Sequence, residues 1–324
     1  MSVPNAPIWA RQGLILTPGL PGPGWSAHCQ MPTPWRRDDT TLRLFYCSRD
    51  ARNRSHVFWA DLSANPPWHP GAQSDGPVLA PGRPGSFDAA GVMPTALVER
   101  DGELWMYYIG WTQRSDVPYH NAIGIARSLD GGRSFERFLP GPVLSTSVDE
   151  PYFCGTCDIA RIGERWVMWY MSTTEWREID GHPEPRYHLK QAYSDDGVHW
   201  DHGHDVAVDY LNKDEGGVAR ATVLQRDDGW WMWFCYRGVA GYRGTGPTGY
   251  RIGVAHSTDG LNWQRLPGQK IFDSDPNQGD FDQFMQCYPA VFRTETGDFL
   301  FYNGSDFGQT GIGVARLQDK EGDC

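Results

Sequence analysis

Residues Phe87 to Phe135 read FDAAGVMPTALVERDGELWMYYIGWTQRSDVPYHNAIGIARSLDGGRSF. In order they hold an acidic residue, an apolar stretch around Pro94 to Val98, the Asp101-Gly102 pair, the Trp-rich segment Trp105 to Ile109, a long polar loop, the small-residue segment Ala122 to Ala126 and an SLDG turn. Apolar segments of this length bounded by Asp-Gly pairs predict short antiparallel strands joined by tight hairpins. Four such strands in sequence make one blade of a propeller.

The same order of parts recurs outward from this stretch. One further copy starts at Asp149-Glu150, passes WVMWY (166–170) and LKQAYS, and closes with SDDGVHW (194–200). Another starts at Glu215, passes WWMWF (230–234) and YRIGVAHS, and closes with STDGLNW (257–263). A third starts near Asp280-Phe281-Asp282, passes FLFY (299–302) and ends in TGIGVARL. Before Phe87, the segments His28 to Pro34, LRLFY (42–46) and HVFWADL (56–62) supply a degenerate copy. Copies of about 65 residues match four strands with generous loops. The expected fold is therefore all-β, a single five-bladed β-propeller of four-stranded antiparallel blades at approximately 25–80, 81–145, 146–208, 209–272 and 273–318. Residues 1–24 hold IWARQGLIL, expected to complete the three-stranded last blade, followed by the breaker-rich TPGLPGPG.

The 324 residues carry a net charge of −11 and no run of Lys or Arg, which argues against nucleic acid or an anionic membrane as partner. No apolar stretch reaches membrane-spanning length. The start MSVPNAPIWARQG has neither the basic nor the apolar region of a secretory signal, so the expected location is the cytoplasm. Most of the seven scattered cysteines are then expected to be free thiols behaving as small buried hydrophobes.

Propeller geometry sorts residues by face. The start of each inner strand shares a rim with the loop between strands two and three, while the loop between strands three and four lies on the opposite rim. The SxDG turns at Asp130, Asp196 and Asp259 therefore read as structural, with Phe135, Trp200 and Trp263 packing between blades. The same sorting sends Asp88, Asp149 or Glu150, Glu215, and Asp280 or Asp282 to one rim. Neighbours on a strand point opposite ways, so only one of Asp149 and Glu150 faces the channel, and Glu150 is favoured. Beside them lie the loops 110–121, 172–188 and 237–250, with Trp111, Tyr119, His120, Trp176, Tyr187, His188, Tyr242 and Arg243. Aromatic faces and hydrogen-bond donors of this kind suit a polar, ring-shaped ligand. Cleaving a glycosidic bond would use one carboxylic acid and one carboxylate, and a third acid to tune them.

Together the acids heading inner strands, the W-[VM]-M-[WY]-[YF] and IG[IV]A-x-S strands and the SxDG hairpins resemble the five-bladed glycosidase superfamily, with glycoside hydrolase families 43, 32 and 130. SLDGGRSF also fits the Asp-box pattern S-x-D-x-G-x-x-[FW]. The resemblance to family 43 implies Asp88 as base, Asp149 or Glu150 as the residue that tunes pKa, and Glu215 as general acid, with inversion at the anomeric carbon. The first copy offers His28 where an acid would stand, and the NDPNG motif of the fructosidase-like family is missing. The expected activity is hydrolysis of a small saccharide or sugar conjugate. Its alternatives are phosphorolysis or another reaction of a sugar phosphate or nucleotide sugar, and saccharide binding without chemistry. Asp282 reads as a further substrate ligand.

Arg220 lies inside an inner strand among small residues, where a charge needs a partner. Asp158 on the neighbouring strand is the expected one; an anion held with His28 is the alternative. CGTC (154–157) lacks a second pair at zinc spacing. No cofactor is expected, and His28 with a channel carboxylate is the one place that would suit a cation.

Overall fold

In the computed structural model, which describes residues 4–19, 22, 25 and 27–318, almost every regular element is a strand. β1 (Trp9–Leu16) comes first. β2 (Gln30–Asp38), β3 (Thr41–Arg49), β4 (Ser55–Ser63) and β5 (Pro70–Gln73) then form an antiparallel run, β3 on β2, β4 on β3 and β5 on β4. β6 (Gly91–Arg100), β7 (Glu103–Thr112), β8 (His120–Ser128) and β9 (Glu136–Arg137) repeat that order. So do β10 (Cys154–Ile162), β11 (Arg165–Ile179), β12 (His182–Ser194) and β13 (Asp201–Val208). β14 (Glu215–Arg226), β15 (Gly229–Gly238), β16 (Arg251–Ser257) and β17 (Gln264–Arg265) come next. β18 (Cys287–Thr294), β19 (Gly297–Asn303) and β20 (Ile312–Leu317) are joined by β1, whose Trp9 faces Leu317 and whose Leu16 faces Ile312. Parts of the linker and Cys324 lie outside the described residues.

Single parallel bridges, Ser55 to Gly91 and Tyr187 to Gly217, connect neighbouring runs, so the strands form one four-stranded and two eight-stranded sheets. The first strands of the runs touch one another: β2 lies against β6 and β18, β10 against β6 and β14, and β14 against β18. The architecture is all-β and propeller-like. No helix of the described residues is long and apolar enough to cross a membrane.

Aromatic residues at the hairpin ends hold adjacent runs together. Phe135 meets Phe45 of β3 edge-on at 5.5 Å, Trp200 meets Tyr107 of β7 at 6.2 Å, and Trp263 meets Trp169 of β11 at 5.9 Å. Each such pair contributes about 0.5–1.5 kcal/mol beyond the area it buries. The preceding turns are locked by their aspartates. Asp130 Oδ1 accepts the amides of Arg133 (2.9 Å) and Ser134 (3.0 Å) and the Ser128 hydroxyl (2.7 Å), and Gly131 takes φ 72°. Asp196 and Asp259 do the same. Asp130→Ala is expected to cost only about 1 kcal/mol, because the freed amides are near water; urea unfolding would measure it.

The segment 172–188, expected to be a loop, is instead mostly strand. β11 and β12 continue as a long hairpin because the Trp- and Thr-containing segment keeps a strand pattern up to the Asp180-Gly181 turn, where φ is 51° and 77°.

Candidate functional site

Each first strand bulges at the same level. Register breaks fall between Gln30 and Thr33 in β2, Pro94 and Ala96 in β6, Gly155 and Cys157 in β10, Ala219 and Thr222 in β14, and Cys287 and Ala290 in β18. Met31, Arg220 and Tyr288 take φ of 60°, 53° and 53° there, a conformation that costs a side-chain-bearing residue about 1–2 kcal/mol. A bulge re-aims side chains, and of these Met31 and Tyr288 line a cavity of about 350 Å³.

Its lining mixes three chemistries. Met31, Met93, Ile109 and Met171 are apolar; Trp111, Tyr119, Phe153, Tyr187, Tyr250, Tyr288 and Phe307 are aromatic; Gln30, Asn53, Gln113, Asn121, Arg49 and Arg243 are polar. Trp111 is fixed by its indole N–H, which donates to Ser55 Oγ at 2.8 Å. Tyr119 packs edge-on against Trp176 at 5.7 Å and against Phe153 at 5.3 Å. Tyr187 and Tyr250 touch hydroxyl to hydroxyl, and Arg237 Nε donates to Tyr187 from behind at 2.9 Å.

Arg220 crosses beneath. Its guanidinium donates to Thr95 O and Oγ1 (the latter at 2.7 Å) on β6, to Pro32 O (2.9 Å) and Thr33 Oγ1 (3.3 Å) on β2, and to Pro289 O (3.3 Å) on β18. Its backbone N–H donates to Thr156 Oγ1 of β10 at 2.9 Å. The expected pairing with Asp158 is replaced by these acceptors, because the bulged strands turn carbonyls toward the axis. Asp158 accepts the amides of Val223 (2.7 Å) and Ile159 (2.9 Å). Burial pushes the Asp158 carboxyl above its ordinary value and pulls Arg220 below its own.

The carboxylates expected at the rim occupy equivalent positions, and each is already engaged. Asp88 is fully buried; it accepts Ser86 Oγ (2.6 Å), Tyr108 OH (3.0 Å) and Arg137 Nε (2.7 Å). Glu150 accepts Tyr170 OH (2.8 Å) and the Ser172 hydroxyl, and meets His202 Nδ1 at 2.6 Å and Lys190 Nζ at 3.2 Å. Glu215 takes Arg265 through both oxygens, at 2.6 and 2.7 Å, and accepts the Leu211 amide at 2.9 Å. Asp282 is fully buried against Arg11 and accepts Tyr302 OH at 2.9 Å. In every case the acid stands before or at the head of a first strand and a basic partner sits on the fourth, β9, β13, β17 and β1, with Lys190 of β12 a second partner for Glu150. None of the four lines the cavity, and no ion pair or hydrogen bond joins one to another among the described residues. Asp149 is exposed.

Burial raises the Glu150 carboxyl, but the bonds from His202, Ser172 and Tyr170 and the charge of Lys190 outweigh it and bring it to about 2. Burial raises Asp282, against the opposing charge of Arg11. His28 is half-buried, its Nδ1 lacks a partner, and burial together with the Arg49 charge lowers it to about 4. Among the described residues no group of three or more His, Cys, Asp or Glu could hold a metal ion.

Of the loop residues read from the sequence, Trp111, Tyr119, Tyr187 and Arg243 line the cavity. Trp176 supports Tyr119 from outside. Tyr242 donates to Glu184 and lies 3.8 Å under the Arg237 guanidinium. His120 packs near Phe153 at 6.4 Å, and His188 pairs with Asp209 at 3.1 Å and stacks on Tyr210. Sequence reasoning missed Met31, Met93 and Tyr288, each the residue before a proline in QMPTP, VMPTA and CYPAV; that recurring dipeptide was the available signal.

Solved structures place the fold. The chain superposes on BT0996 in its RGII complex with a TM-score of 0.73 at 18% identity, over 97% of this protein and 93% of the other. It superposes on a thermostable family-43 glycoside hydrolase with a TM-score of 0.65 at 14% identity, over 97% and 94%. A structure from the family 130 of mannoside phosphorylases, which contains glycoside hydrolases that target β-1,2 mannosidic linkages in Candida mannan, gives 0.64 at 15%, over 100% and 98%. The fold is that of the glycoside hydrolase-like propellers, as the sequence motifs implied. No family model matches the chain. Two Mycobacterium tuberculosis proteins, uncharacterized protein Rv1502 of strain H37Rv and uncharacterized protein MT1551 of strain CDC 1551, are each 32% identical over 316 residues, 96% of this chain and 99% of theirs. The chain belongs to their family.

Proposed function

We propose that this protein is a five-bladed propeller that seats a small saccharide or sugar conjugate in the cavity above Arg220. The repeated four-strand order, completed for the last run by β1, supports the blade count. The observation that carries the binding reading is the lining itself: aromatic faces beside amides and guanidinium groups around about 350 Å³, within the range of about 300–1,000 Å³ usual for small-ligand sites. Sugar C–H faces stack on such rings and their hydroxyls take the amides. Among the described residues six buried, unpaired cysteines suit a reducing compartment such as the cytoplasm.

Cleavage by Glu215 as acid, Asp88 as base and Glu150 as positioning group is the second reading, favoured by the likeness of fold to glycoside hydrolases and mannoside phosphorylases. What weighs against it is that a general acid must reach the leaving oxygen, whereas these carboxylates are engaged by Arg137, Lys190 and Arg265 and do not line the cavity. The test is a panel of glycosides and nucleotide sugars, with and without phosphate, followed for both binding and release of reducing sugar. The expected result is saturable binding without turnover. Turnover that Glu215→Gln and Asp88→Asn abolish in folded protein would establish the second reading, and a phosphate requirement would make it a phosphorylase.

A further inference from the structure

The cavity is charged on one side only. Among the described residues two arginines line it and no Asp or Glu does, in a chain whose net charge is −11. Arg243 is matched by Glu184 at 2.9 Å. Arg49, half-buried at the end of β3, is not: among the described residues its guanidinium hydrogen-bonds only the amide oxygens of Gln30 (3.3 Å) and Asn53 (2.9 Å). Both amides also line the cavity. Two more cations stand behind the wall. Arg237 is spent on Tyr187 OH, Pro185 O and Gly238 O, and Arg220 on carbonyls and hydroxyls, with no carboxylate hydrogen-bonded to either among the described residues. The unpartnered Nδ1 of His28 is a further polar atom of this region, and the Arg49 charge contributes to keeping that imidazole neutral.

A neutral sugar does not require an unmatched guanidinium, since amides and hydroxyls satisfy its hydroxyl groups at lower desolvation cost. A carboxylate or phosphate does, because the planar fork offers paired, charge-assisted hydrogen bonds to two oxygens. We infer that the cavity selects a saccharide bearing an anionic substituent, a carboxylate or a phosphate ester, and that Arg49 is the residue that receives it, with Asn53 and Gln30 steadying its guanidinium. The inference rests on the saccharide reading of the cavity and narrows it.

The experiment titrates wild-type protein with hexoses and pentoses in three forms, the neutral methyl glycoside, the matching uronide and the matching sugar phosphate, at low and high ionic strength. The anionic forms are expected to bind about tenfold or more tightly than their neutral counterparts, the size of one charge-assisted hydrogen bond. Salt should erode that advantage, Arg49→Gln should abolish it, and Arg49→Lys should restore part of it. Which anionic form binds better separates uronide from phosphate ester. Equal binding of neutral and anionic forms, or an anionic preference that survives both salt and Arg49→Gln, overturns the inference and leaves the saccharide reading standing. Binding of none of the three forms overturns both. Because the salt dependence is read on wild-type protein, the outcome does not hang on how well the variants fold.

Discussion

Arg220→Ala is expected to cost about 3–5 kcal/mol, enough to remove most of the stability of an ordinary domain. One side chain ties β14 to β2, β6 and β18, so three of the first strands lose their common fastening to β14 at once, while the backbone N–H bond to Thr156 of β10 survives the substitution. The acceptors left behind lose their donor, and each buried polar group left unsatisfied costs about 1–3 kcal/mol. Arg220→Lys keeps the charge but not the fork, and should fall between wild type and alanine. The backbone supplies a second comparison. At φ 53° a Cβ is strained, so Arg220→Gly should be less damaging than Arg220→Ala by about 1 kcal/mol. Urea unfolding midpoints of the three variants check the order. A loss under about 1 kcal/mol for alanine would mean that the strands are held by their hydrophobic faces alone and that Arg220 is a passenger.

Local chemistry made the scaffold legible. Asp-Gly pairs, the Trp-rich second strands and the aromatic at each hairpin end are short-range signals, and Phe135, Trp200 and Trp263 pack between runs as their positions implied. The pairing of β1 with β20 was legible from a missing strand. The candidate site was less so, for a physical reason. An acid at the head of a strand looks alike whether it faces a ligand or an arginine, and the arginine or histidine that decides the matter lies far along the chain. Arg137 is 49 residues from Asp88, Arg265 is 50 from Glu215, and Arg11 is 271 from Asp282. The nearer partner was readable: Tyr108, Tyr170 and Tyr302 each lie 20 residues after the acid they serve. Met31 and Met93 went unnoticed because a thioether carries no chemical signature of a site.

Replacing one of these acids is expected to weaken the fold and leave the cavity alone. Glu215→Gln strands the Arg265 guanidinium, which is only 11% exposed, against a neutral amide, and breaking such a buried pair costs about 3 kcal/mol or more. Asp88→Asn should behave alike through Arg137. Saccharide affinity should stay within about threefold in both, since neither carboxylate lines the cavity. Glu150 adds a pH signature. Its carboxyl falls from an ordinary 4.5 to about 2 in the folded protein, so the unfolded chain takes up the proton first as acid is added. The stabilisation is full above about 4.5, declines as pH falls, and is gone below about 2. At most about 3 kcal/mol is at stake, since each pKa unit is worth about 1.4 kcal/mol. Unfolding free energies of wild type and Glu150→Gln, measured across that window, should converge as pH drops. If instead the two curves run parallel into acid, the ion pair with Lys190 and the bond to His202 contribute nothing to the fold, and Glu150 is free for the catalytic duty that its position at the head of β10 first suggested.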